Sequence, residues 1–211
     1  MTSEKPKISV IMAVQDRAQE LEQNLPIFLT QQGEVEYEVI VVNDSSTDDT
    51  TNVLKRMKAE YPHLYTTFLP FSKVPYPSRL RLALTIGAKA AHGDWIVLAD
   101  ITRPPLTDTW IYTLVGNIDD HSEVVLEYHN KTNIIQSFDT LDEAFPYILK
   151  AERKSSYGHK GHLFLFRRGL YSTMMVKTSR IHDALKLFDQ KINGFKLISL
   201  LTQVLSRNIL Y

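Results

Sequence analysis

Asp94-Trp95-Ile96-Val97-Leu98-Ala99-Asp100-Ile101-Thr102-Arg103-Pro104-Pro105 is the stretch on which the reading of the fold turns. Trp95 to Ala99 is an apolar run of the kind found in a strand buried on both faces. It stops at a carboxylate, a hydroxyl and a guanidinium. Two prolines follow, and consecutive prolines cannot extend a sheet ladder, so Asp100 to Arg103 are held at the strand's carboxyl end. In open α/β sheets ligands sit outside that edge.

Upstream, the same design recurs. Ile8 to Val14 is a continuous apolar run that breaks into Gln15-Asp16-Arg17, followed by helical spacing of Leu21, Leu25, Phe28 and Leu29. Tyr37 to Val42 runs into Asn43-Asp44-Ser45-Ser46-Thr47-Asp48-Asp49-Thr50, where Ser46, Thr47 or Asp48 is expected to cap a helix carrying Val53, Leu54 and Met57. Leu64 to Leu69 predicts a third strand. A helix opening near Ser78 is expected to bury Leu82, Ile86 and Ala90 and to stop at Gly93. Four strands alternating with helices predict a parallel sheet covered by helices on both faces. All four strands then deliver Gln15, Asp44 and Asp100 to one rim.

After Pro105 the pattern loosens. Leu106 to Ile118 predicts a helix, Glu123 to Tyr128 a strand, Leu141 to Lys150 an amphipathic segment, Leu163 to Arg167 a strand, and about Ser179 to Asp189 a helix. Phe195 to Tyr211 reads as an amphipathic helix packed on the core. Asp119-Asp120-His121 reads as a solvated turn. The 211 residues predict one domain, 1–211, in two halves over 6–105 and 106–211.

Composition narrows the function. The 24 basic and 24 acidic residues cancel, and aromatic residues are not interleaved with a basic patch, so nucleic acid is not an expected partner. No cysteine is present, which rules out disulfide and thiolate chemistry. No 18-residue apolar run or leader-like start occurs, so a cytoplasmic location with at most peripheral membrane contact is expected. Phosphate-cradling glycine loops and a Gly-x-Ser-x-Gly elbow are also missing.

Three pieces in order, Ile8 to Arg17, Val41 to Thr50 and Gly87 to Ile96, resemble the family 2 glycosyltransferases of the GT-A fold; together they span residues 7 to 105, about half the chain. The second half is similar only at Leu163-Phe164-Leu165-Phe166-Arg167-Arg168. The resemblance implies transfer of a sugar from a UDP- or GDP-sugar to a hydroxyl of a glycan or lipid-linked acceptor, with inversion, in cell-surface polysaccharide synthesis. It implies that Ala13, Val14 and Gln15 line the base and ribose pocket and that Asp44 accepts a hydrogen bond from the base. Asp100 then corresponds to the first carboxylate of an Asp-x-Asp motif that holds Mg²⁺ or Mn²⁺ on the diphosphate.

The chain departs from that pattern twice. Thr102 stands where the second Asp belongs, and the acidic base motif is reduced to Asp189. One reading keeps the enzyme and lets Arg79, Arg81 and Arg103, with His159, Lys160 and His162, carry the diphosphate. The alternative is a degenerate homologue that binds nucleotide or a partner without turnover. The same resemblance implies a nucleotide-sugar-binding half over 6–105 and an acceptor-side half over 106–211, the latter read as shortened, or as continued by a segment beyond residue 211.

Overall fold

The computed structural model describes residues 6–73, 78–128, 134–144 and 173–186. Its centre is a seven-stranded sheet in the order β3-β2-β1-β4-β7-β5-β6. The strands are β1 (Ile8–Val14), β2 (Tyr37–Asp44), β3 (Leu64–Leu69), β4 (Trp95–Leu98), β5 (Val124–Tyr128), β6 (Ile134–Phe138) and β7 (Thr173–Lys177). The first four are mutually parallel, as the alternation of strand and helix predicts. β7 then inserts antiparallel between β4 and β5, and β6 closes the far edge.

Period-two alternation sorts each central strand between two layers. Ile8, Val10, Met12 and Val14 of β1 share one core with Leu21, Leu25 and Phe28 of α1 (Ala18–Leu29) and with Val53, Leu54 and Met57 of α2 (Thr50–Glu60). Ile11, Ile40, Ile96 and Leu98 share the other with Leu80, Leu84 and Ala88 of α3 (Ser78–Ala90). Both faces are covered, which is why these strands read as unbroken apolar runs.

The buried stripe of α3 differs from the expected one. Leu80, Ala83, Leu84, Gly87 and Ala88 face the sheet, whereas Leu82 is 40% exposed, Ala90 is exposed and Ile86 is only partly covered. Gly87 sets this rotation. A Cβ there would lie 2.5 Å from Ile11 Cγ2, so the one residue without a side chain must take the closest approach to β1.

The helix expected over 106–118 is confined to α4 (Trp110–Val115). The groups that would begin an earlier turn are engaged elsewhere. The Ile111 N–H donates to Gln31 Oε1 (3.3 Å), while the Thr107 and Asp108 carbonyls accept from Gln31 Nε2 (3.2 Å) and the Gln32 N–H (2.5 Å). β6 and β7 are additions to the predicted elements. Residues 141–144 are helical, and a 3₁₀ turn (Thr178–Arg180) leads into helix over 181–186. The expected segments at 145–150, 163–167 and 195–211 lie outside the described residues.

Candidate functional site

The carboxyl ends of β1 and β2 are tied together by their loops. Asp16 (φ 50°) and Ser45 (φ 52°) both adopt the left-handed conformation, which non-glycine residues seldom hold without a local reason. Here the reason is a set of crossing hydrogen bonds. Asp16 Oδ1 accepts from the Thr47 N–H (2.6 Å), the Thr47 hydroxyl (3.2 Å) and the Asp48 N–H (3.3 Å), and the Asp16 N–H donates to Ser46 Oγ (3.0 Å). The N-cap of α2 is Asp49, without a side-chain cap bond, instead of the expected Ser46, Thr47 or Asp48; Asp48, one place earlier, satisfies helix-opening amides. Its carboxylate accepts from the Thr50 N–H opening α2 and from the Ala18 N–H opening α1, both at 3.0 Å. Burial pushes that carboxyl up, but these donors and the Thr50 hydroxyl outweigh it and hold it below the usual range.

Next to this brace Asp44 pairs with Arg79, the second residue of α3, and both are nearly buried. Arg79 Nη2 also donates to the Pro70 carbonyl (2.7 Å) and Ser45 Oγ (3.1 Å), so the guanidinium joins the ends of β2 and β3 to the start of α3. Its Nη1 is buried without a hydrogen-bond partner among the described residues. A buried donor left unpaired costs about 1–3 kcal/mol, and a ligand oxygen would recover it.

On the other side of β1, Asp100 follows β4. Its Oδ1 accepts from the Thr102 N–H and the Thr102 hydroxyl, both at 2.9 Å, and its carbonyl accepts from the Arg103 N–H (2.9 Å). Thr102 therefore closes a turn on Asp100. Ala99 and Ile101 flank Asp100 and both pack into the α1/α2 layer, while Asp100 itself opens the turn that leaves β4 at the carboxyl edge. Asp44 lies on the α3 side of that edge with Ile40 and Val42, and so does Ala13, in phase with Ile11. β1 stands between β2 and β4, and the registers, Asn43 opposite Val14 and Leu98 opposite Ile11, carry β2 further along β1 than β4, so the chain after Leu98 reaches the same edge through Ala99 and Asp100. Ala13 on β1 adds almost no bulk.

The expected site residues thus fall into three groups. Ala13, Asp44 and Arg79 share the α3 side of the carboxyl edge, and Asp100 stands at the same edge in the turn after β4, with exposed Gln15, Thr102 and Arg103 beside them. Val14 does not line a pocket with its side chain, which is 2% exposed in the α1/α2 core. Arg81 is half-buried on α3. Asp189, His159, Lys160 and His162 lie outside the described residues. Asp16 is legible in the sequence as part of a polar strand end beside Gln15, but the left-handed backbone of Asp16 and Ser45 is not, because it depends on the hydrogen bonds between two distant loops. Asp119, Asp120 and His121 form an exposed turn, as expected.

A second polar cluster lies at the opposite, amino-terminal edge. Ser9 Oγ donates to Glu38 Oε1 (2.6 Å), which also accepts from the His92 N–H (2.6 Å), and His92 Nδ1 lies 3.1 Å from Glu38 Oε2. Serine, carboxylate and histidine match a hydrolytic triad only in composition. The carboxylate stands between the other two, and Ser9 is fully buried with the Gly93 N–H donating to its oxygen. The cluster anchors the starts of β1, β2 and β4.

Among the described residues no group of three His, Asp or Glu side chains could hold a metal ion. Asp100 offers hard oxygen ligands, and Mg²⁺ is commonly held by one or two carboxylates with substrate phosphates supplying further ligands. The residues present therefore fit a divalent cation through Asp100 alone, completed by a diphosphate.

The model of the family described as glycosyl transferase family 2 matches residues 9–174. Uncharacterized proteins of Mycobacterium tuberculosis and Mycobacterium bovis are 25% identical over 142 residues, covering 66% of this chain and 39% of theirs. The mannosyltransferase PcManGT from Pyrobaculum calidifontis, solved with GDP-Man and Mn²⁺, superposes with a TM-score of 0.57 at 18% identity, over 86% of this chain and 47% of that one. S. aureus TarS 1-349 with UDP-GlcNAc gives 0.53 at 20% identity, over 84% and 47%. The chain thus spans about two-fifths of the curated relatives' length and about half of these solved structures.

Proposed function

The chain belongs to glycosyl transferase family 2, and from that premise we propose that it moves a sugar from a nucleoside diphosphate sugar to an acceptor hydroxyl. The observation that supports this best is that β2 and β4, both parallel to β1, deliver Asp44, paired with Arg79, and Asp100 to the same carboxyl edge, with the end of β1 between them. In this reading Ala13, Gln15, the Val14 backbone, Asp44 and Arg79 take the nucleoside. Asp100, Thr102, Arg103 and Arg81 take the diphosphate. A divalent cation held by Asp100 would neutralise charge on the leaving diphosphate.

The acceptor oxygen bonds to the anomeric carbon as the bond from that carbon to the diphosphate oxygen breaks, and the acceptor's proton passes to a base. Attack from the face opposite the diphosphate inverts the anomeric centre. Asp189 is the candidate base. Arginine guanidinium groups near the departing phosphates stabilise charge that grows along the reaction, which is where preorganised donors accelerate it most. Cell-surface glycan synthesis, a glycan or lipid-linked acceptor and a cytoplasmic site belong to the same proposal. No described helix is long and apolar enough to cross a membrane.

One observation favours a second reading, a homologue that holds nucleotide without turnover. The residue two places after Asp100 contributes a hydroxyl that is folded back onto Asp100 rather than a second carboxylate. Assaying released nucleoside diphosphate across a panel of sugar nucleotides separates the two. Turnover that disappears in Asp100→Ala supports transfer; binding without release over the whole panel supports the inert homologue.

A further inference from the structure

The loop that carries Asp100 has no regular structure between β4 and α4, yet one side of α1 grips it repeatedly. Asn24 Nδ2 donates to the carbonyl of Ile101, the residue next to Asp100, at 2.9 Å. Phe28, one turn on, meets the Trp110 ring edge-to-face with centroids 5.9 Å apart. Gln31, just past the helix end, donates from Nε2 to the Thr107 carbonyl (3.2 Å) and accepts at Oε1 from the Ile111 N–H (3.3 Å). Asn24 and Phe28 lie one turn apart on the same side of α1, and Gln31 follows two residues after its end. The loop is gripped near its start at Ile101 and near its end at Thr107, and α4 itself is held at Trp110 and Ile111. From that far end Trp110 Nε1 donates to Glu127 Oε2 on β5 at 2.9 Å.

We propose that Asn24 and Gln31 are positioning residues, which fix the Asp100 carboxylate and the adjoining Thr102 and Arg103 for a diphosphate. This rests on the donor-site reading above. Asn24 is a poor helix former within a helix, and its amide is satisfied by a backbone carbonyl 77 residues away rather than by its own helix. Gln31 uses both ends of its amide, a combination that neither a carboxylate nor an apolar residue can reproduce. The grip acts on the backbone beside Asp100, so its loss should alter the turn that orients the carboxylate before it alters the sheet.

The test uses the full chain with Asn24→Ala, which favours the helix while deleting the donor, and Gln31→Glu, which replaces a donor with a charge set against the Thr107 carbonyl. Hydrogen exchange is followed at Thr102 and Arg103, whose amides bond to Asp100, and at Val97 and Leu98 within β4. Titration with UDP- and GDP-sugars is run in parallel. We expect protection at 102 and 103 to fall about 10-fold with Val97 and Leu98 unchanged, and the donor Kd to rise about 10-fold, since small misplacements of a binding group are costly. Unchanged protection at 102 and 103 in both variants overturns the proposal, as does a loss shared equally by Val97 and Leu98. If the wild-type chain binds neither sugar nucleotide, the donor-site reading fails and the exchange result alone decides whether the grip exists.

Discussion

Removing one partner of the Asp44–Arg79 pair gives a prediction that is both structural and functional. Asp44→Asn leaves a guanidinium in a nearly buried position without its counter-charge. Uncoupling a buried ion pair in this way costs about 3–5 kcal/mol. Arg79 keeps the Pro70 carbonyl and Ser45 Oγ as acceptors, which places the expected loss near the low end, about 3 kcal/mol. In a domain of this size each kcal/mol moves Tm by about 2–4 °C, so a fall of roughly 6–12 °C is expected. Arg79→Met should cost a similar amount by stranding the Asp44 carboxylate. The double variant Asp44→Leu with Arg79→Met should recover most of the stability, because an apolar pair of similar volume often matches a buried ion pair. Urea unfolding of these proteins and of Asp44→Leu alone, which closes the cycle with Arg79→Met and the double variant, measures the coupling directly when m-values are compared. Nucleotide binding should stay lost in the double variant although its fold is restored. Single-variant losses below about 1 kcal/mol would mean that the pair behaves as a solvated surface contact, and the reasoning would be wrong.

Three further outcomes are expected. Asp16→Ala removes the acceptor for three hydrogen bonds across the β1 and β2 loops, whereas Asp16→Asn keeps an acceptor and a side chain that tolerates left-handed backbone; Tm should fall by about 2–4 °C or more for the first and less for the second. Burial raises the Glu38 carboxyl, but the Ser9 hydroxyl and the His92 N–H and ring outweigh it, so its folded pKa lies below the usual glutamate value. The unfolded chain then binds more protons in acid, so this contribution is intact above about pH 4.3 and is lost as pH falls through the folded value; denaturant melts from pH 6 to 3 should show a shallower acid loss in Glu38→Gln. Gly87→Ala forces a methyl against Ile11 Cγ2 and should cost about 1–3 kcal/mol by urea unfolding.

The parallel half is readable because its physics is local. Strands covered on both faces must be apolar throughout, and Ile8–Val14, Tyr37–Asp44 and Trp95–Leu98 carry that pattern with polar residues massed at their ends. The α3 face comes out one step out of phase from sequence, because apolar spacing alone weights Leu82 and Ile86 as highly as Leu80 and Ala83. Contact with β1 at Gly87 decides the rotation, and that contact is tertiary. β7 pairs with β4 and β5 from some 75 and 50 residues away, so its assignment depends on partners that no local window contains. Within the site, Asp44 and Asp100 are legible as carboxylates at strand ends. The Asp16 brace, the Arg79 pairing and the Asn24 grip are not, since each depends on where two distant loops meet.

A crystal structure of the chain soaked with UDP and Mn²⁺ would decide whether the carboxyl edge is the donor site. Nucleotide density is expected on the α3 side of that edge, with the base near Asp44 and Arg79 and the diphosphate beside Asp100. Nucleotide bound at the amino-terminal edge near Glu38, or a full-occupancy ligand touching neither Asp44 nor Asp100, would contradict it.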